Sequence, residues 1–320
     1  MTFPTKQHQI AYTKRFREMF DKNTSIEAFV IVAAHLAAMG AIAAVCIAAY
    51  FYNPIAGYVL YPVSVWLIGT RYRAFINIVH ECVHSSFAKS PPVNVFIGEF
   101  LCTLLFISFA DYKHHHATHH VHTGNYEKDL DFINSKHYDF HIPLNRELIH
   151  RHIRRIFTGA VFRDYIGDVL YDPKASTAWR AVRTFYVMFL LLLVTTEFLV
   201  FGTFFGALFA LVPRFVALPL IGYISDFLDH GGVLGQEHDL NKSRNYIVDS
   251  RLARLAFFPR NDCYHLLHHL FPTVPTRFFP DVHRILMEEQ PEYRVKPHTF
   301  RQWLREPFTT TTPVMTGSAH

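Results

Sequence analysis

Apolar residues in this chain are gathered into blocks. The first runs from about Ile26 to Tyr52, longer than the roughly 20 residues that a membrane-crossing helix needs. Asn53-Pro54 interrupts it, and a second block from Ile55 predicts the returning arm of a helical hairpin. A third apolar region, Arg183 to Phe227, is too long for one span. Gly202, Gly206 and Pro213 within it predict a second hairpin turning between Gly202 and Arg214. The expected spans are 26–52, 55–78, 183–203 and 206–227. Val93 to Phe109 is also apolar, but it is short and contains Glu99, so it reads as a re-entrant or interfacial helix.

Charge orients these blocks. Lys6, Lys14, Arg15, Arg17 and Lys22 precede the first hairpin, Arg71 and Arg73 follow its apolar part, and the turn carries none. Cationic flanks stay on the cytoplasmic side, so both outer ends of the hairpins, and both termini, are expected there. The polar stretch from Asp111 to Arg180 then lies in the cytosol. Within it, His150 to Phe157 has amphipathic spacing that suits either a headgroup-bound helix or a solvated cytosolic one. Residues 1–306 read as one membrane-embedded unit and the Thr-rich 307–320 as a disordered tail.

Composition adds exclusions. A net charge of +5 over 320 residues is explained by these flanks, and no interleaved basic and aromatic pattern points to nucleic acid. The four cysteines form no CxxC pair, which argues against a disulfide scaffold and for a reducing compartment. Met1 to Lys22 is polar and lacks the apolar core of a signal peptide.

Three histidine clusters lie between the apolar blocks: His80-Glu-Cys-Val-His84, His116-Ala-Thr-His119-His120 and His265-Leu-Leu-His268-His269. Residues three and four apart share a helix face, so each cluster converges its imidazoles. The fold expected is an all-α integral membrane protein: four transmembrane helices in two hairpins, with a cytosolic helical cap holding a di-metal site. Imidazole suits zinc, copper, iron and nickel, so ligand type alone leaves the metal open. HECVH also matches the HExxH of zinc proteases, with Glu81 as general base, but that site would leave two complete clusters idle. A metal transporter would place its ligands within the spans, whereas these lie outside them. His114, His115 and His122 fall out of register with the second cluster. His35, inside the first span, is expected to pack or hydrogen-bond there.

These motifs resemble the three histidine boxes of the membrane fatty-acid desaturase and hydroxylase superfamily. His80-Glu-Cys-Val-His84-Ser-Ser-Phe is similar to the first. Tyr112-Lys113-x-x-His116-x-x-His119-His120, followed by Asp129-Leu-Asp131, is similar to the second with its acidic pair. Tyr264-His265-x-x-His268-His269-Leu-Phe-Pro is similar to the third. The resemblance implies a ninth ligand before the third box, and Asp229-His230-Gly231-Gly232 occupies that place, with His238 ranked second. Asp226, one turn earlier, becomes a candidate to hold a metal-bound water or to orient a ligand, as do Asp129, Asp131 and Glu81. Departures from the family pattern are Leu267, Cys263 and Asp229.

What the resemblance implies is a non-haem enzyme with two Fe(II) ions that uses O₂ to oxidise an unactivated C–H bond. Desaturation of an acyl chain on a lipid, coenzyme A or carrier protein is the leading expectation. Hydroxylation of a lipid or small metabolite is the alternative. The chain shows no haem-, flavin- or iron–sulfur-binding module, so a separate ferredoxin, flavodoxin or cytochrome b5 type donor is expected.

Overall fold

The computed structural model describes residues 3–133, 135–162, 176–236 and 239–309. Among them every regular element is helical, apart from isolated bridges pairing Asn23 with Ala88 and Ile247 with Thr299. Helix α1 (Lys6–Met19) precedes the long pair α2 (Ser25–Tyr52) and α3 (Pro54–Val83). Helices α4 (Pro91–Leu105) and α5 (Phe109–His122) follow, then α6 (Arg146–Phe157). A second long pair is α7 (Thr177–Phe201) and α8 (Phe205–His230). The remainder contains α9 (Arg251–Phe257), α10 (His265–Leu270), α11 (Phe279–Glu289) and α12 (Phe300–Thr309).

By length and composition three helices, α2, α7 and α8, are able to cross a membrane, and a fourth if the bent pair α4–α5 counts as one broken span. All four expected segments are long helices, but α3 is not among the sufficiently apolar ones. Its Ser64, Thr70, Arg71 and Arg73 lower its apolarity, and a buried face shows that it packs against protein. Helix α7 is the opposite case. None of its side chains is buried, and Phe185 (73%), Leu192 (65%) and Leu199 (75%) stand exposed. Water would not tolerate such a continuous apolar surface, whereas lipid does.

The first hairpin turns where expected. Asn53 Oδ1 accepts the Ile55 amide at 3.0 Å, and Pro54 opens α3, where its missing N–H costs nothing. Gly57 permits the two arms to close, because a Cβ there would lie 2.5 Å from that of Tyr50. The second hairpin turns at Gly202, in the left-handed region at φ 66, and Glu197 accepts the Gly206 amide of the returning helix at 2.6 Å.

Pro213, read from sequence as a candidate for that turn, instead lies within α8 at the start of a π-helical segment, Pro213–Ala217. Proline cannot donate within the helix, and a widened turn leaves carbonyls short of partners. Two hydroxyls from α3 supply them: Tyr61 donates to Leu208 O and Tyr72 to Ala210 O, each at 3.0 Å. Beside this segment Gly69 lets α3 approach, since a Cβ there would come within 2.5 Å of Ala217.

Between α4 and α5 the chain bends by 104° through Phe106, at φ 56, and Ser108 Oγ then caps α5 by accepting the Asp111 amide. A bend of this kind fits a broken span or a re-entrant segment, the second of which is one of the two readings of the short block with Glu99. Helix α6 buries Leu148 and His152 and exposes Ile153 and Phe157. Helix α1 is fixed to the C-terminal part by Phe16 against Phe271, ring centroids 5.2 Å apart, and by the Arg15–Glu289 ion pair at 2.7 Å.

Candidate metal centre

Four elements end at one place. Helix α3 brings His80 and its cap His84, α5 brings His116, His119 and His120, α8 ends at His230, and α10 carries His265, His268 and His269. The nine imidazoles form two groups able to hold a metal ion: His80, His84, His116, His120 and His268 in one, His119, His230, His265 and His269 in the other. The i, i+3, i+4 spacing of α5 divides its ligands between them, with His116 and His120 facing one group and His119 the other. In the first group His120 Nε2 lies 2.8 Å from His268 Nε2 and 3.0 Å from His116 Nε2. In the second His265 Nε2 lies 2.9 Å from His230 Nε2 and 3.0 Å from His269 Nε2.

The opposite ring nitrogens show what these contacts mean. His119 Nδ1 donates to Asp129 Oδ2 at 2.9 Å, His116 Nδ1 to Asp131 Oδ2 at 3.1 Å, and His230 Nδ1 to the Lys242 carbonyl at 2.9 Å. His265 Nδ1 lies 3.5 Å from Asp229 Oδ2. In His116, His119 and His230 the proton is thereby committed to Nδ1, and Nε2 is left as a lone pair. Protonation does not offer an alternative. Burial lowers the His84 pKa to about 4. Burial, reinforced by neighbouring imidazoles, pushes those of His265, His268 and His269 well below the usual histidine range. Converging lone pairs on neutral rings repel one another unless a cation lies between them, so the donor set fits two metal ions.

Asp129 and Asp131 are therefore beside the imidazoles. Asp226 lines a cavity of about 230 Å³ between the groups, with Arg73, Asn77, Tyr112 and Asp229. Glu81 is elsewhere: its carboxylate accepts from Arg260 Nε at 3.0 Å and from the Thr276 amide at 3.3 Å, and it belongs to neither group. That placement removes the general base from the zinc-protease reading of HECVH. His114, His115 and His122 also lie outside both groups, and His35 packs against Phe75 with ring centroids 6.1 Å apart. His238 lies outside the described residues.

Asp229 and the Lys242 carbonyl were not anticipated as ring-orienting partners. Asp229 sits next to His230 but serves His265 of another helix, and a carbonyl leaves no mark in side-chain identity. Arg244 fixes both pieces: its amide donates to Asp229 O at 3.1 Å and its guanidinium to Gly231 O at 2.7 Å. All four cysteines are buried and free.

The profile of the fatty acid desaturase family matches residues 56–301. A dihydrorhizobitoxine desaturase of Bradyrhizobium elkanii is 26% identical over 254 residues, which is 72% of this chain and 68% of that protein. Shorter matches join this chain to an sn-1 acyl-lipid omega-3 desaturase (ferredoxin) of Synechocystis sp., 37% identical over 70 residues, and to a delta(12) fatty acid desaturase of Mortierella alpina, 31% identical over 84 residues. These cover 22% and 26% of this chain and 19% and 21% of the two relatives.

Proposed function

Because the chain belongs to the fatty acid desaturase family, we propose that its nine histidines hold two iron ions and that it desaturates an acyl chain carried on a lipid, coenzyme A or a carrier protein. The observation that carries this reading is the division of nine histidine ring nitrogens into two groups, with four of the Nδ1 atoms facing Asp129, Asp131, Asp229 and the Lys242 carbonyl. Two ferrous ions held there would supply the reduction of O₂ and the removal of hydrogen from an unactivated C–H bond. The protein's own part is orientation: the carboxylates fix the imidazole tautomers and raise their basicity, and the helix ends fix their spacing.

Desaturation is favoured over hydroxylation because the relatives matched here are named desaturases. Fatty-acid names among them support an acyl substrate. A small polar substrate is the second reading, favoured by the polar cavity beside the imidazoles and by the relative named for dihydrorhizobitoxine, which aligns over most of the chain. All four long helices are taken to span the bilayer, with Ser64, Thr70 and Arg71 of α3 buried against protein and the histidines on the cytoplasmic side with the basic flanks. Electrons come from a separate carrier, as the relative named with ferredoxin suggests.

Mass spectrometry of lipids and metabolites from a host expressing the chain tests the reaction type. The expected product lacks two hydrogens relative to its precursor. A product that gains one oxygen instead would establish hydroxylation.

A further inference from the structure

Helix α1 is outside the histidine boxes, yet it forms one wall of a groove of about 750 Å³ whose opposite wall includes His84, His120 and His269. Those imidazoles belong to both groups, so this is a place where the protein surface reaches both metal positions at once. The α1 wall is cationic. Lys6, Lys14 and Arg17 line it and are exposed, and beyond Arg17 an adjoining groove adds Lys22 and Lys89. The two grooves together carry five cations against two acids, Glu18 and Asp21. Exposed Ile10 (62%) stands among the cations.

We infer that this strip is the docking surface for the electron donor, and that the donor is a small redox protein with an acidic face. The inference rests on the reading that the centre needs electrons from outside. Electron transfer falls steeply with distance, so a donor must seat where the histidines come nearest the surface, and the groove is such a place. Each donor molecule would give up one electron, its reduced iron–sulfur cluster being oxidised as a ferric ion of the centre is reduced. Complementary charge suits such a transient partner, since it raises the encounter rate without demanding a large buried area. Size favours a protein over a small anionic headgroup. Lys6 to Arg17 alone extends roughly 16 Å along α1 at about 1.5 Å per residue, and the strip continues past it.

The test uses the full chain in lipid nanodiscs and the double variant Lys6→Glu, Lys14→Glu, whose side chains are exposed and leave the core untouched. Oxidation of a reduced acidic ferredoxin by the iron-loaded chain is followed by stopped flow, and binding of the same ferredoxin to the metal-free chain by interferometry. The variant is expected to slow the ferredoxin reaction at least about tenfold at low salt and to weaken binding similarly, with dithionite reduction unchanged. Wild-type rates should fall as salt shortens the Debye length. Unchanged ferredoxin kinetics and binding in the variant would overturn the inference. So would a variant that loses stearoyl-coenzyme A binding while keeping ferredoxin, which would assign the strip to a substrate headgroup. Failure of dithionite to reduce wild-type protein would instead sink the oxidase chemistry, and the metal-free binding arm would still decide the docking surface.

Discussion

Replacing His268 with alanine is expected to abolish turnover while leaving membrane insertion intact. His268 is 4% exposed, and its Nε2 lies 2.8 Å from that of His120 and 3.3 Å from that of His116, inside the five-histidine group. Losing an outer partner of a metal ligand costs about 10- to 100-fold in affinity or activity, so losing the ligand should cost at least about 100-fold. Alanine preserves the helical propensity of the short α10, and the adjacent Leu266, Leu267 and Leu270 keep it anchored in the core. His114→Ala is the contrast, because His114 lies outside both groups. Product formation per membrane-inserted chain should collapse in the first variant and persist in the second. Equal activity in the two would show that the grouping is wrong.

Glu81→Ala is expected to destabilise the fold by about 3–5 kcal/mol, the usual cost of breaking a buried ion pair from one side. Glu81 is 1% exposed, and the Arg260 guanidinium that it holds lies 5.1 Å from the Phe87 ring centroid. Removing the carboxylate leaves that cation without its charge partner and the Thr276 amide without its acceptor. A drop in the unfolding midpoint in detergent micelles measures the effect. Replacing both partners with methionine should recover part of the loss, because no uncompensated charge then remains. A Glu81→Ala protein of full stability but no activity would restore a general-base role for this residue. The structure assigns it instead to fastening the end of α3 to the segment before α10.

The contrast between His80 and Glu81 shows what a single sequence reveals. The clustered histidines are legible because a helix converges them only at fixed local offsets, and three such offsets recur between apolar blocks. The partner of Glu81 is 179 positions away, and no local pattern marks an ion pair between such distant residues. The same reason hides Asp229 opposite His265 and Lys242 opposite His230. Among the elements, run length and turn residues located the hairpins, and the Asn53-Pro54 turn needed nothing further. Pro213 misled because its helical environment depends on Tyr72, a partner from another helix that supplies a hydrogen bond to Ala210. Apolarity likewise overstated the resemblance of α3 to α2, α7 and α8, since its Ser64, Thr70, Arg71 and Arg73 lower its hydropathy. The basic residues of α1 were legible as a topology signal, but their second position, along a groove reaching His84 and His120, required the folded chain.

Each of the two groups of imidazoles, five and four strong, is expected to hold one iron ion. Elemental analysis of the purified full-length protein, with Mössbauer spectroscopy on iron-57-enriched material, tests it most directly. The expected result is about two irons per chain in nitrogen-rich, histidine-dominated environments. One zinc per chain with no iron would contradict it.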